Sequence, residues 1–110
     1  DREIILSRVL QSINDDARSY GGQLIISYLP STRYDFVEWP DCEYDMVRNT
    51  TTALGIPFVD MVKAIEERGN HSELIASNPL FPSLGGHYNR AGYELVADEV
   101  LGVIAEIPNR

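Results

Sequence analysis

The feature that most constrains the fold of this chain is a largely apolar run at residues 23–29 (Gln-Leu-Ile-Ile-Ser-Tyr-Leu), which Pro30 ends. Its apolar residues are continuous rather than alternating, as is typical of strands covered on both faces of a parallel sheet. A second short run occupies residues 56–61, with Pro57 near its beginning, where a missing N–H costs least. We predict a strand at each run.

Helical patterns surround the two predicted strands. We predict helices at residues 1–20, 42–54, 62–68 and 90–106, and a loop at residues 71–86. Helices that alternate with strands indicate an α/β fold, in which a parallel sheet lies between two layers of helices.

Two of the predicted helices show the apolar face by which they should pack. The first has a stripe with a spacing of four residues, made of Ile5, Val9, Ile13 and Ala17 and widened by Leu6, Leu10 and Tyr20. The last is expected to bury Val96, Val100, Val103 and Ile104.

The amino-acid composition of the chain limits the classes of molecule that it is expected to bind. The chain has 110 residues, 44% of them hydrophobic, which suits one domain with a modest core. Because the net charge is -8 and no Lys/Arg cluster is present, nucleic acid and anionic membranes are not expected as partners. Cys42, His71 and His87 are too scattered for a metal site, and the single cysteine excludes an internal disulfide. We therefore expect no metal and no cofactor.

The predicted sheet is incomplete. Two parallel strands cannot cover four helices or protect their own edges from pairing with other chains. The first residues also lie inside a helical pattern. We therefore expect a half-domain that self-associates or pairs with a separate N-terminal half.

The segment at residues 85–93 (Gly-Gly-His-Tyr-Asn-Arg-Ala-Gly-Tyr) has the strongest potential for chemistry. A histidine just before a helix lies at the positive end of the helix dipole, which favours the neutral imidazole that a general base needs. Asn89 is expected to cap the helix, and Gly92 to let its first turn lie close against a neighbour. The alternative is a capped helix with a chance histidine at His87.

Ligands of open parallel sheets bind beyond the carboxyl ends of the strands. These ends are predicted at Ser31 and Asp60, and the His87 loop should reach the same edge. We therefore assign Ser31, Asp60 and Asn89 to substrate binding. Asp60 has a second interpretation, which we favour, as the cap of the following helix. Ser31 and Ser83 are the nearest candidate nucleophiles, although neither has the glycine-flanked setting of an exposed catalytic serine.

Three segments together resemble the C-terminal half of an SGNH (GDSL-like) hydrolase: residues 24–31, residues 54–61 and the segment from Phe81 to Tyr93. The resemblance covers nearly all of the chain. It implies a flavodoxin-like sheet and a Ser-His ester hydrolase or acyltransferase. His87 matches the catalytic base of that family, and Asn89 and Gly92 match the signature that follows it. A small-molecule or carbohydrate ester is the implied substrate, and an extracytoplasmic location is favoured.

The chain departs from the family pattern at two places. The nucleophile block (Gly-Asp-Ser) is absent, so the serine is expected outside this chain. The aspartate expected shortly before the histidine is replaced by Leu84 or Gly85, and its loss removes the group that orients the imidazole. The alternative function is therefore a non-catalytic relative that binds carbohydrate or a partner protein.

Overall fold

A computed structural model describes residues 1–30, 42–69, 71–77 and 86–108 of the chain. Within these residues the fold is mixed α/β. Four α-helices are present: α1 (Arg2–Ser19), α2 (Cys42–Ala53), α3 (Met61–Arg68) and α4 (Arg90–Glu106). Four short strands accompany them: β1 (Ile26–Tyr28), β2 (Phe58–Asp60), β3 (Ile75–Ser77) and β4 (Gly86–Tyr88). Each predicted helix is found within about two residues of its expected bounds.

The two predicted strands pair in parallel. β1 lies beside β2 with Ile26 opposite Phe58 and Tyr28 opposite Asp60. The connection between them contains α2, which packs against both strands. The parallel pairing is therefore confirmed, although each strand is three residues long and shorter than the run that predicted it.

The prediction of a loop at residues 71–86 was wrong in part. A 3-10 turn at His71–Leu74 leads directly into β3, which pairs antiparallel with β4. Ala76 lies opposite His87 in this pair, so His87 lies in a strand rather than in a loop. Three-residue strands are too short to produce a recognisable alternation of apolar and polar residues. Consequently, nothing in the sequence pattern marked them.

The core lies where β2, α3, the 3-10 turn and β4 meet. Val59, Met61, Ile65 and Leu74 are at most 1% exposed, and Tyr88 is 9% exposed. Helix α4 covers this cluster with half-buried side chains: Leu95, Val96, Val100 and Val103. Ile104 was predicted to join them but is 47% exposed, because it lies at the edge of the buried face of the helix.

The apolar stripe predicted to bury α1 is largely exposed. Ile5, Val9 and Ile13 are 61%, 49% and 45% exposed, respectively. The helix packs against α2 through the adjacent stripe, on which Leu10 and Asn14 are buried. The burial of Leu10, which was predicted to widen the apolar face, is therefore confirmed. Both stripes of α1 contain apolar residues, so the spacing alone did not decide which one faces the protein.

The ends of the helices follow the local sequence. Gly69 ends α3 in the left-handed conformation, with φ of 80°, which glycine adopts without a steric penalty. In α2 the hydroxyl group of Thr51 shares its one proton between the carbonyl oxygens of Val47 and Arg48, both at 2.9 Å. This three-centre bond satisfies a buried hydroxyl within its own helix. Among the described helices, none combines the length and apolarity needed to cross a bilayer.

Candidate functional site at the carboxyl ends of the parallel strands

Asp60 is the last residue of β2 and joins three elements through its carboxylate. Its Oδ1 accepts a hydrogen bond from the backbone N–H of Lys63 at 3.0 Å, which caps the N-terminus of α3. Its Oδ2 accepts a hydrogen bond from the hydroxyl of Tyr44, on α2, at 2.5 Å. The capping interpretation of Asp60 is therefore confirmed. Its assignment to substrate binding stays a prediction.

Two further side chains lie against the ring of Tyr44 at this edge. Its ring lies edge-on to that of Tyr28, with 5.4 Å between centroids, and the guanidinium of Arg48 lies 5.1 Å from its centroid. Burial raises the pKa of Tyr44 above its ordinary value of 10.0, and its hydrogen bond to the Asp60 carboxylate raises it further. The hydroxyl is therefore protonated at neutral pH and acts as a donor.

Tyr88 connects β4 to the carboxyl end of β1. Its hydroxyl donates a buried hydrogen bond to the carbonyl oxygen of Pro30 at 2.8 Å. Burial raises the pKa of Tyr88 to about 12, with a smaller contribution from Tyr93, whose ring centroid is 6.1 Å away. The bond fixes β4 beside the end of β1.

His87 precedes Tyr88 in β4, so their Cα atoms are about 3.8 Å apart. Successive side chains of a strand point to opposite faces, and accordingly Tyr88 is buried while His87 is exposed. The imidazole makes no hydrogen bond or ion pair with another residue in the described part of the chain. An exposed, unpaired imidazole is accessible to a substrate, but no described group fixes its tautomer.

Asn89 and Gly92 hold the beginning of α4 against the 3-10 turn. Asn89 caps the helix, because its Oδ1 accepts a hydrogen bond from the N–H of Gly92 at 3.0 Å. Its Nδ2 donates to the carbonyl oxygen of Glu73 at 2.6 Å. A methyl group at Gly92 would collide with the carbonyl oxygen of Leu74. Both sequence predictions, the cap and the close approach, are confirmed.

The other predicted site residues lie outside the described residues: Ser31, Ser83, Leu84 and Gly85.

A cleft of about 350 Å³ lies away from His87, at the amino ends of the parallel strands. Gln23, Pro57 and Phe58 line it together with the end of α4. In the parts of the chain that the structure describes, no three His, Cys, Asp or Glu side chains form a group able to hold a metal ion.

Tyr44 and Tyr88 are the residues of this edge that sequence reasoning missed. Tyr88 lies inside the segment that suggested the catalytic base, but its role as an anchor depends on a partner 58 positions away.

Comparison with protein-family models, with curated proteins and with solved structures found no match to this chain. The function is therefore argued from the geometry of this edge.

Proposed function

We propose that this chain is the C-terminal portion of an SGNH-like ester hydrolase or acyltransferase with a flavodoxin-like parallel sheet. His87 acts as general base in this proposal, and the nucleophilic serine belongs to a segment outside residues 1–110. The substrate is an ester of a small molecule or a carbohydrate.

The hydrogen bond from Tyr88 to Pro30 is the observation that carries the proposal. It ties the strand of His87 to the carboxyl end of β1, and ligands of open parallel sheets bind at that edge. The capped start of α4 directly after this strand adds support, because Asn89 holds the helix and the strand in a fixed relation. Asp60 and Tyr44 lie at the neighbouring strand end.

The proposed reaction has two steps. The hydroxyl of the external serine attacks the carbonyl carbon of the ester while His87 takes its proton. The imidazolium of His87 then gives a proton to the departing alcohol, which leaves an acyl-enzyme. In the second step, His87 takes a proton from water or from an acceptor alcohol, whose oxygen attacks the acyl carbon. The imidazolium of His87 then returns a proton to the serine oxygen as the acyl–serine bond breaks, which releases the acid or the new ester and the free serine.

The exposed state of His87 favours a second candidate function. Since no described residue orients the imidazole, a relative that has lost catalysis and binds carbohydrate or a partner protein also fits the structure. In that case Asp60 and Asn89 remain at the edge as polar groups able to contact a sugar hydroxyl.

A fluorophosphonate probe, which modifies only activated serines, tests the first function. The protein as its gene encodes it is treated with the probe, and the labelled peptide is identified by mass spectrometry. We expect one labelled serine outside residues 1–110 and loss of labelling in His87→Gln. The matched control is His71→Gln, which makes the same change at the other histidine of the chain and should label normally.

Each other outcome contradicts part of the proposal. Labelling that survives His87→Gln would exclude His87 as the base, and labelling at Ser31 or Ser83 would place the nucleophile inside the chain. A folded protein that is not labelled at all would exclude the hydrolase. Saturable carbohydrate binding, followed by NMR shifts at residues 86–89, would then support the second function.

A further inference from the structure

The exposed apolar residues of α1 are spaced symmetrically about Val9, and a charged residue lies at the same distance from each end of this stripe. We define the α1 stripe as Ile5, Val9 and Ile13, which are 61%, 49% and 45% exposed, respectively. Arg2 lies three residues before the stripe and Asp16 three residues after it. Spacings of three and four keep all five side chains on one face of the helix.

The two ends of this pattern carry opposite charges. Arg2 is exposed and pairs at 3.0 Å with Glu43, while Asp16 is exposed and forms no ion pair within the described residues. If a second copy of α1 lies antiparallel with Val9 at the two-fold axis, Ile5 of one copy meets Ile13 of the other. The same symmetry places Arg2 opposite Asp16 at both ends.

We propose that the α1 stripe is the interface of a homodimer in which two α1 helices pack antiparallel about Val9. This inference uses none of the residues on which the proposed function rests. The charge pattern identifies the occupant as a second copy, because an antiparallel copy places apolar residues opposite apolar residues and Arg2 opposite Asp16. An isologous two-fold interface requires this self-complementarity. Since the stripe is short, we expect a dissociation constant in the micromolar range.

Sedimentation equilibrium gives the first measurement. The chain has a mass of 12.4 kDa and a net charge of -8, so copies repel one another at low ionic strength. The experiment is therefore run at about 0.15 M salt, where the Debye length is about 8 Å. We expect a reversible monomer–dimer equilibrium, and a monomer at all concentrations up to several hundred micromolar would overturn the proposal.

Single-cysteine variants test the orientation, in a Cys42→Ser background. A disulfide requires Cα atoms within about 7 Å. In the antiparallel pairing, Val9 is the stripe residue that comes this close to its own copy, whereas Ile5 comes this close to Ile13 of the other copy. Ile5 and its own copy lie eight residues apart along the axis, or about 12 Å. We expect Val9→Cys to cross-link alone, and Ile5→Cys to cross-link when mixed with Ile13→Cys but slowly by itself. Rapid self-cross-linking of Ile5→Cys would contradict the antiparallel arrangement.

A charge exchange tests the ion pairs. Arg2→Asp or Asp16→Arg alone should weaken the dimer about tenfold, because each pair occurs twice and attraction becomes repulsion. The double variant Arg2→Asp/Asp16→Arg should restore the wild-type dissociation constant within about threefold. The control Glu43→Gln removes only the partner of Arg2 within the chain and should have less than a twofold effect. Failure of the double variant to recover would show that these residues do not face each other.

Discussion

Gly92→Ala should destabilise the fold although alanine is the better helix former. The new Cβ would collide with the carbonyl oxygen of Leu74 and lie 3.0 and 3.1 Å from two side-chain carbons of Tyr88. Leu74 is fully buried, and its carbonyl oxygen already accepts a hydrogen bond from the N–H of Asn89 at 2.8 Å, so it has little freedom to move. Overpacking of this kind costs about 3 kcal/mol, at the upper end of its range, because a backbone atom is involved.

The gain in helix propensity offsets only part of this cost. Replacing glycine by alanine inside a helix is worth about 1 kcal/mol, which leaves a net loss of about 2 kcal/mol. Gly102 is the matched control, since it lies in the same helix and has no atom within 4 Å of an added Cβ. Gly102→Ala should therefore raise the free energy of unfolding by about 1 kcal/mol.

Urea unfolding followed by circular dichroism measures both variants. With an m-value of about 1.5 kcal/mol/M, the midpoint should fall by about 1.3 M for Gly92→Ala and rise by about 0.7 M for Gly102→Ala. The m-value should not change, because neither substitution alters the surface exposed on unfolding. A midpoint for Gly92→Ala equal to or above that of Gly102→Ala would refute the close approach of α4 to the 3-10 turn.

Three further predictions concern the same edge. Because the pKa of Tyr88 is raised to about 12 in the folded state from an ordinary 10.0, its contribution to stability is complete below pH 10 and is lost as the pH rises toward 12. Chemical denaturation at several pH values should show this loss in the wild type and a smaller loss in Tyr88→Phe. Asn89→Ala should lower the free energy of unfolding by about 1–2 kcal/mol, measured by urea unfolding, since it removes the cap of α4 and the hydrogen bond to Glu73. His87→Gln should change the free energy of unfolding by less than about 0.5 kcal/mol because the side chain is exposed, and a larger change in the same assay would indicate a structural role.

The features predicted correctly from the sequence are those that depend on residues close together in the chain. The helix at residues 90–106 was predicted with its observed bounds, because a capping asparagine and a long apolar periodicity act within a few residues. The cap at Asp60 followed from the same logic. The parallel pairing of β1 with β2 followed from two continuous runs separated by a helix.

These patterns did not predict contacts between residues that lie far apart in the sequence. The choice of the buried stripe on α1 depends on where α2 lies, because apolar residues occupy two adjacent stripes of the helix. The bond from Tyr44 to Asp60 joins a helix to a strand end across 16 positions, and no periodicity marks it. The pairing of β3 with β4 involves three residues on each side, too few for an alternation to be seen.

The hydrogen bond between Tyr88 and Pro30 also has a consequence for the order of folding. It joins residues 58 positions apart, and the entropy lost in closing a loop grows with its length. We therefore expect the bond to form after the local helices. Conversely, a local opening of β4 releases the end of β1 at the same moment. We expect native-state hydrogen exchange to show amides of β4 and those at the end of β1 opening together, as one cooperative unit.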